Sequence, residues 1–185
     1  MTDTPSQHRS PLALDVIYYV SAIVFAVCLF YYYWTGDGGP TLLAMAMVPY
    51  TFVLFTLQSL RTNEFYPKLP IAANYIIAAL YCTFSFYCAW YMYTNYIALG
   101  TERSGMWDMT DLAVGGVMTL LIIEYARKRH TPLFILNIIL ILYAVYGYLV
   151  PGIFYHAGVS WTRVISASSV EMETGIFSRL PQIAP

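Results

Sequence analysis

Charge is scarce in this sequence. Asp, Glu, Lys and Arg make up 10% of its 185 residues, where ordinary soluble domains carry about 25%. Hydrophobic residues reach 59%, and mean hydropathy is +0.59. That balance excludes a water-soluble globular enzyme, and it excludes a disordered chain, which needs low hydrophobicity. Neither sign of charge dominates, since the formal net charge is -1. A nucleic-acid duplex would need a basic stripe, and none is present. Cysteine is equally sparse. Cys28, Cys82 and Cys88 each sit inside an apolar run, without CxxC or metal-type spacing, and read as small core hydrophobes. The histidines are His8, His130 and His156, all in expected loops or at span ends, whereas a haem held inside a bundle needs histidine at membrane depth. No HExxH, GxSxG or P-loop pattern occurs, and the apolar runs offer no persuasive nucleophile with a base. No catalytic residue, cofactor or metal site is therefore expected.

What the sequence does have is long uncharged stretches. A bilayer core of ~30 Å needs about 20 apolar residues in a helix. Val16 to Trp34 forms a first span, and Gly36-Asp37-Gly38-Gly39-Pro40 a tight loop after it. Thr41 to Leu60 forms a second, with Pro49 as an expected kink. Arg61 to Lys68 is a polar loop. Pro70 to Leu99 is charge-free and ~45 Å long as a helix, so span three should tilt or project from the bilayer. Asp111 to Tyr125 is a shorter fourth span, and Thr131 to Val150 a fifth, closed by Pro151-Gly152. The first run is too long for a signal-peptide core, and no small-x-small cleavage site follows it, so it reads as a true span.

Orientation follows from Lys and Arg. With five spans, Arg9, Arg61, Lys68, Arg127, Lys128 and Arg129 fall on one side, and Arg103, Arg163 and Arg179 on the other. The first side is cytoplasmic, which leaves the N-terminus inside and the C-terminus outside. Tyr31 to Trp34, Trp90 to Tyr96, and Tyr146 with Tyr148 would then line the outer interface as an aromatic belt. From Ser160 to Thr174, Trp161, Val164, Ile165, Ser168 and Met172 share one helical face, with Arg163, Ser166, Glu171 and Glu173 mostly elsewhere. This predicts an amphipathic helix lying in the outer interface or docking on a partner. The fold class is all-α: a polytopic bundle of about five transmembrane helices plus that interfacial helix. The chain reads as a single integral membrane domain, with a flexible N-terminus over 1–12, the bundle over 13–150 and the amphipathic segment over 151–185.

Polar residues at membrane depth are costly and often functional. Glu124 reads as a local ion pair with Arg127 and Lys128 in preference to a proton site. Asn137, in the inner half of span five, reads as hydrogen-bonding glue for a neighbouring helix. Gln58 and Asn74, near the cytoplasmic ends, are expected to meet water. Arg127, Lys128 and Arg129 are candidate contacts for lipid head groups. Ala22 with Ala26, Ser85 with Ala89, and Gly115-Gly116 are small enough for close helix approach.

The second half also resembles a known family. Asp111-Leu-Ala-Val-Gly115 followed by Leu121-Ile-Ile-Glu124-Tyr-Ala-Arg127-Lys128 looks like that family's Asp, Gly, then Leu-x-x-Glu-x-x-Arg-Arg pattern. Tyr143-Ala144 with Gly147, Pro151-Gly152, His156, Gly158, Ser160 and Arg163 looks like its Tyr-Ala-x-x-Gly, Pro-Gly, His-x-Gly-x-Ser run. Glu173-Thr174-Gly175-Ile176-Phe177 is similar to its Thr-Glu-Gly-Ile-Phe, with the acid one place earlier. The family is the membrane component of tripartite ATP-independent periplasmic (TRAP) transporters, TAXI branch, and the resemblance covers residues 85–185. It implies a small, Q-type subunit in a bacterial inner membrane. Its partners would be a large permease subunit and a periplasmic TAXI-type solute-binding protein, with sodium or proton gradients driving uptake of an organic acid or similar solute. It also implies a bracing role, with no substrate contact from this chain. Many TAXI permeases fuse both membrane parts, and this chain stops where such fusions continue. Candidate partner-interface residues are Arg103, Asn137, Gly147, Pro151, Gly152, Trp161 and Arg163. The alternatives are the small subunit of a tripartite tricarboxylate transporter, a membrane enzyme or electron carrier, and a scaffold or assembly protein without a transport role.

Overall fold

The computed structural model describes residues 12–36 and 39–172. Expectations resting on His8, Arg9, Asp37, Gly38, Glu173 to Phe177 and Arg179 lie outside these residues. Every regular element among the described residues is helical. The long helices are α1 (Leu12–Thr35), α2 (Gly39–Arg61), α3 (Ile71–Gly100), α4 (Met109–Arg129) and α5 (Thr131–Tyr146), and α6 (Trp161–Ser168) is short. Five helical stretches are long and apolar enough to cross a membrane, the fifth running Thr131–Leu149 with a 3-10 turn at its end. The chain is a multi-pass helical bundle of the expected class.

The seams that hold the bundle follow a three-four spacing. In α3 the buried residues include Asn74, Ala78, Ser85, Cys88, Met92 and Leu99, and in α2 Met45, Pro49, Phe52, Thr56 and Ser59. Residues repeating every 3.5 positions keep one stripe facing a neighbour along the whole length of a helix. α3 packs chiefly on α2, α1 on α2, and α4 joins α3, α5 and α6. The core is Met45, Cys88, Met92, Leu99, Val114, Met118 and Val170. Unbranched Met and small Cys fill the irregular gaps between long helices. α2 runs through Pro49, which is buried, although proline removes one ladder hydrogen bond.

Several span boundaries differ from expectation: α1 begins at Leu12 rather than Val16, and α2 at Gly39, inside the expected loop, while α4 and α5 shift for local reasons. α4 starts at Met109 and ends at Arg129, longer than the expected 111–125. A capping box between Asp108 and Asp111 satisfies its first amides, and ion pairs from Glu124 to Arg127 and Lys128 carry the last turn past the charged residues. α5 is α-helical only to Tyr146. Its last carbonyls leave the ladder because a returning segment takes them: the Val159 amide donates to the Ala144 carbonyl at 2.9 Å.

α6 is shorter than the expected 160–174, beginning after Ser160, whose hydroxyl accepts from the Arg163 amide. It docks on α4 and α5. The most deeply buried residues of this segment lie toward its end. Ser166, Ser169 and Val170 are fully buried, while Trp161, expected on the apolar face, is 48% exposed. The reason is Gly115 of α4. A Cβ there would stand 2.5 Å from Ser169 Oγ and 3.3 Å from Ile165 Cγ2 and Val170 Cγ1. Backbones approach this closely only through small residues, and Ser169 fills the tightest point with Ile165 and Val170 beside it. Gly115 therefore acts as the sequence suggested; Gly116 meets nothing within 4 Å.

Candidate functional site

Polar side chains gather at the two ends of the bundle, and a third arrangement shapes the return from α5 to α6. At one end Asp111, in the first turn of α4, is 0% exposed. Tyr91 Oη donates to its Oδ1 at 2.7 Å, and the Asp108 amide donates to its Oδ2 at 3.0 Å. Arg103 Nη1 donates to both oxygens, at 3.0 and 3.2 Å, while Nη2 donates to Asn95 Oδ1 at 2.7 Å. The hydrogen bond with Tyr91, with Asp111 and Asp108 beside it, holds the Arg103 guanidinium above its ordinary range. A buried carboxylate is tolerable only when paired and hydrogen-bonded, and this one is both. Arg103, a candidate partner-interface residue, is an internal tie between α3, the following loop and α4, with a side chain only 23% exposed.

At the other end Glu124 accepts from Tyr66 Oη at 2.7 Å and from Arg127 Nε and Nη2 at 2.7 and 2.6 Å. Burial, then hydrogen bonds with Tyr81 and Glu124, pushes the Tyr66 hydroxyl above the usual phenol range, which keeps it a donor. Lys128 turns inward. Its ammonium donates to the Phe65 carbonyl at 2.6 Å and lies 3.7 Å from the ring centroids of both Phe65 and Tyr66. With 12% of its side chain exposed, Lys128 is committed to the protein, whereas Arg127 and Arg129 face outward. Asn74 is buried rather than wet, because its Nδ2 donates to the Tyr66 carbonyl at 2.9 Å. Gln58 is exposed as expected. Arg61 ties α2 to α1 through Asp15 at 2.6 Å.

The return turn places several motif residues together. The His156 ring lies on Gly147 so closely that a Cβ there would meet it at 1.8 Å. Gly147 is therefore a packing residue for the His156 ring. Gly158 takes φ +78, and a Cβ there would stand 2.5 Å from the Val145 carbonyl oxygen. Tyr143 Oη donates to the Phe154 carbonyl at 2.7 Å. Pro151 and Gly152 are exposed, and Gly152 has φ +81, a backbone angle that favours glycine. Arg163 pairs with Glu171 at 3.1 Å.

A groove of about 540 Å³ runs between α4, α5 and α6, lined by Ile122, Asn137, Leu140, Ile141 and Ala167 among others. The Asn137 amide has no hydrogen-bond partner among the described residues. The neighbouring-helix bond expected of it is not made within the described chain.

Reading the sequence alone missed Tyr91, Asn95, Phe65 and Tyr66 as partners of the charged groups. One signal was present: Tyr91 and Asn95 stand one turn apart at the end of a long apolar helix, four residues being one face. Among the described residues no group of three or more metal-type side chains comes together. No family model matches the chain, and neither curated proteins nor solved structures give a match.

Proposed function

We propose that this chain is the small membrane subunit of a TRAP-type secondary transporter of the TAXI branch. It braces a large permease subunit in a bacterial inner membrane, with the Arg127 to Arg129 end cytoplasmic and the Gly147 end periplasmic. The observation that carries the reading is the ordered run of motif residues from Asp111 to Arg163, in which Gly115 seats α6 while Tyr143, Gly147, His156 and Gly158 build one turn. Those residues hold the chain's own shape, which suits a stationary brace. Two further features support it. α1 is almost uncovered, with 6% of its most apolar window buried. Asn137 keeps an unpaired amide in the groove beside α5, where a second chain's helix would complete its bonding. Secondary transporters place substrate and ions at broken helices near the midplane. No such site is proposed for this chain, and its role is non-enzymatic.

The test is co-expression of this chain with the products of its neighbouring open reading frames, followed by extraction in mild detergent. A stoichiometric complex with a large permease subunit, and ion-gradient uptake that needs both of them and a solute-binding protein, would support the subunit role. Uptake unchanged when this chain is deleted would sink it. Asn137→Leu should weaken recovery of the permease without altering the helical content of this chain.

A further inference from the structure

His156 uses both ring nitrogens at once. The Gly158 amide donates to His156 Nδ1 at 3.1 Å, so Nδ1 holds a lone pair and no proton. The ring proton is then on Nε2, which donates to the Tyr143 carbonyl at 3.0 Å. Only the neutral Nε2–H form makes both bonds. An imidazolium would set its Nδ1–H against the Gly158 N–H and lose that acceptor. The geometry points to His156 as an acid-sensitive latch: protonation of its ring opens the turn from α5 to α6 and loosens the seat of α6 on Gly115.

The surroundings leave the ring little alternative. Gly147 lies flat against it, and the Tyr143 ring meets it edge-on at 4.7 Å. From α5 the titratable group facing it is Tyr143, and Tyr148 packs on the adjacent Gly158. On the α6 side the charged residues are Arg163 and Glu171, which pair with each other. Among the described residues no carboxylate or cation bonds to the ring. A charged ring therefore gains no counter-ion from the described residues, while the Gly158 amide loses its acceptor. The bond from the Val159 amide to the Ala144 carbonyl follows two residues after Gly158's neighbour Ala157, so loss of the latch reaches α6 directly. The inference is independent of the transporter reading.

The experiment uses the full chain in lipid nanodiscs with ¹⁵N-labelled histidine, at about pH 7.5 and about pH 5, the range over which histidine switches charge. The His156 signal, identified by its loss in His156→Asn, should report a bare Nδ1 and a protonated Nε2 at the higher pH. In acid the ring should become charged. Amide-exchange protection of Gly158 and Val159, corrected for the intrinsic effect of pH, should then fall at least about fivefold, the worth of one hydrogen bond. His156→Asn should remove that pH step, because an Asn side-chain oxygen accepts from the amide two residues on at either pH. A protonated Nδ1 at the higher pH overturns the latch. So does a ring still neutral in acid, or a charged ring with protection unchanged. If His156→Asn does not fold, the tautomer and the exchange step of the parent chain still decide the matter.

Discussion

Removing Arg103 tests whether the α3–α4 end is held by a buried ion pair or merely decorated by one. In Arg103→Ala the Asp111 carboxylate, fully buried, loses two hydrogen bonds of 3.0 and 3.2 Å and keeps those from Tyr91 and the Asp108 amide. Breaking a buried pair from one side costs about 3–5 kcal/mol, because the remaining charge stays desolvated. Two surviving donors place this case near the lower limit, about 3 kcal/mol. Asp111→Asn removes the charge but keeps an oxygen for Tyr91, and should cost about 2 kcal/mol through the weakened cap and one mismatched donor. If the pair is what matters, the double variant should also cost about 2 kcal/mol, well short of the about 5 kcal/mol that addition gives. Equilibrium unfolding in mixed micelles, followed by helical circular dichroism, reads all three. An Arg103→Ala variant within about 0.5 kcal/mol of the parent, or a double variant that is simply additive, would refute the reasoning. Charge reversal at Arg103 would unfold this corner, so lost partner binding in such a variant reports folding and not docking.

Gly147→Ala should destabilise by about 2–3 kcal/mol, since the His156 ring cannot move aside without losing both of its bonds; thermal unfolding and exchange at Val159 check this. Gly115→Val should displace α6 while leaving the five long helices intact, seen as lost protection over 161–168 with little change in helical content. Lys128→Met should cost about 1–2 kcal/mol by removing the bond to the Phe65 carbonyl and the contact with two rings, whereas Arg129→Met should cost less than about 0.5 kcal/mol. Binding to anionic vesicles over zwitterionic ones should follow Arg127 and Arg129 and be indifferent to Lys128.

Lys128 and Arg103 both turn inward, for a reason the local sequence hides. A cation in a loop or at a helix end looks solvated when only its neighbours in sequence are visible. Phe65 lies 63 residues from Lys128. Asn95 and Asp111 each lie eight residues from Arg103, across the end of one helix and the start of the next. Glu124 was read correctly as a local ion pair because Arg127 and Lys128 are its neighbours on the same helix face; its third partner, Tyr66, lies on another element. Which residues of the α6 segment are buried is set by Gly115, on another helix. That glycine brings Ser169, Ile165 and Val170 close against α4.

Five membrane-length helices and their order were decided by the sequence alone, because bilayer thickness imposes a length of apolar chain that neighbours cannot alter. The Gly115 approach was also visible, as a small residue within a span. Tertiary structure decided the rest: which cations turn inward, where α5 ends, and that His156 lies on Gly147. Each of these depends on groups distant along the chain satisfying a donor, an acceptor or a gap. In a low-dielectric interior such matching sets the energy of every polar atom, and no local pattern carries it.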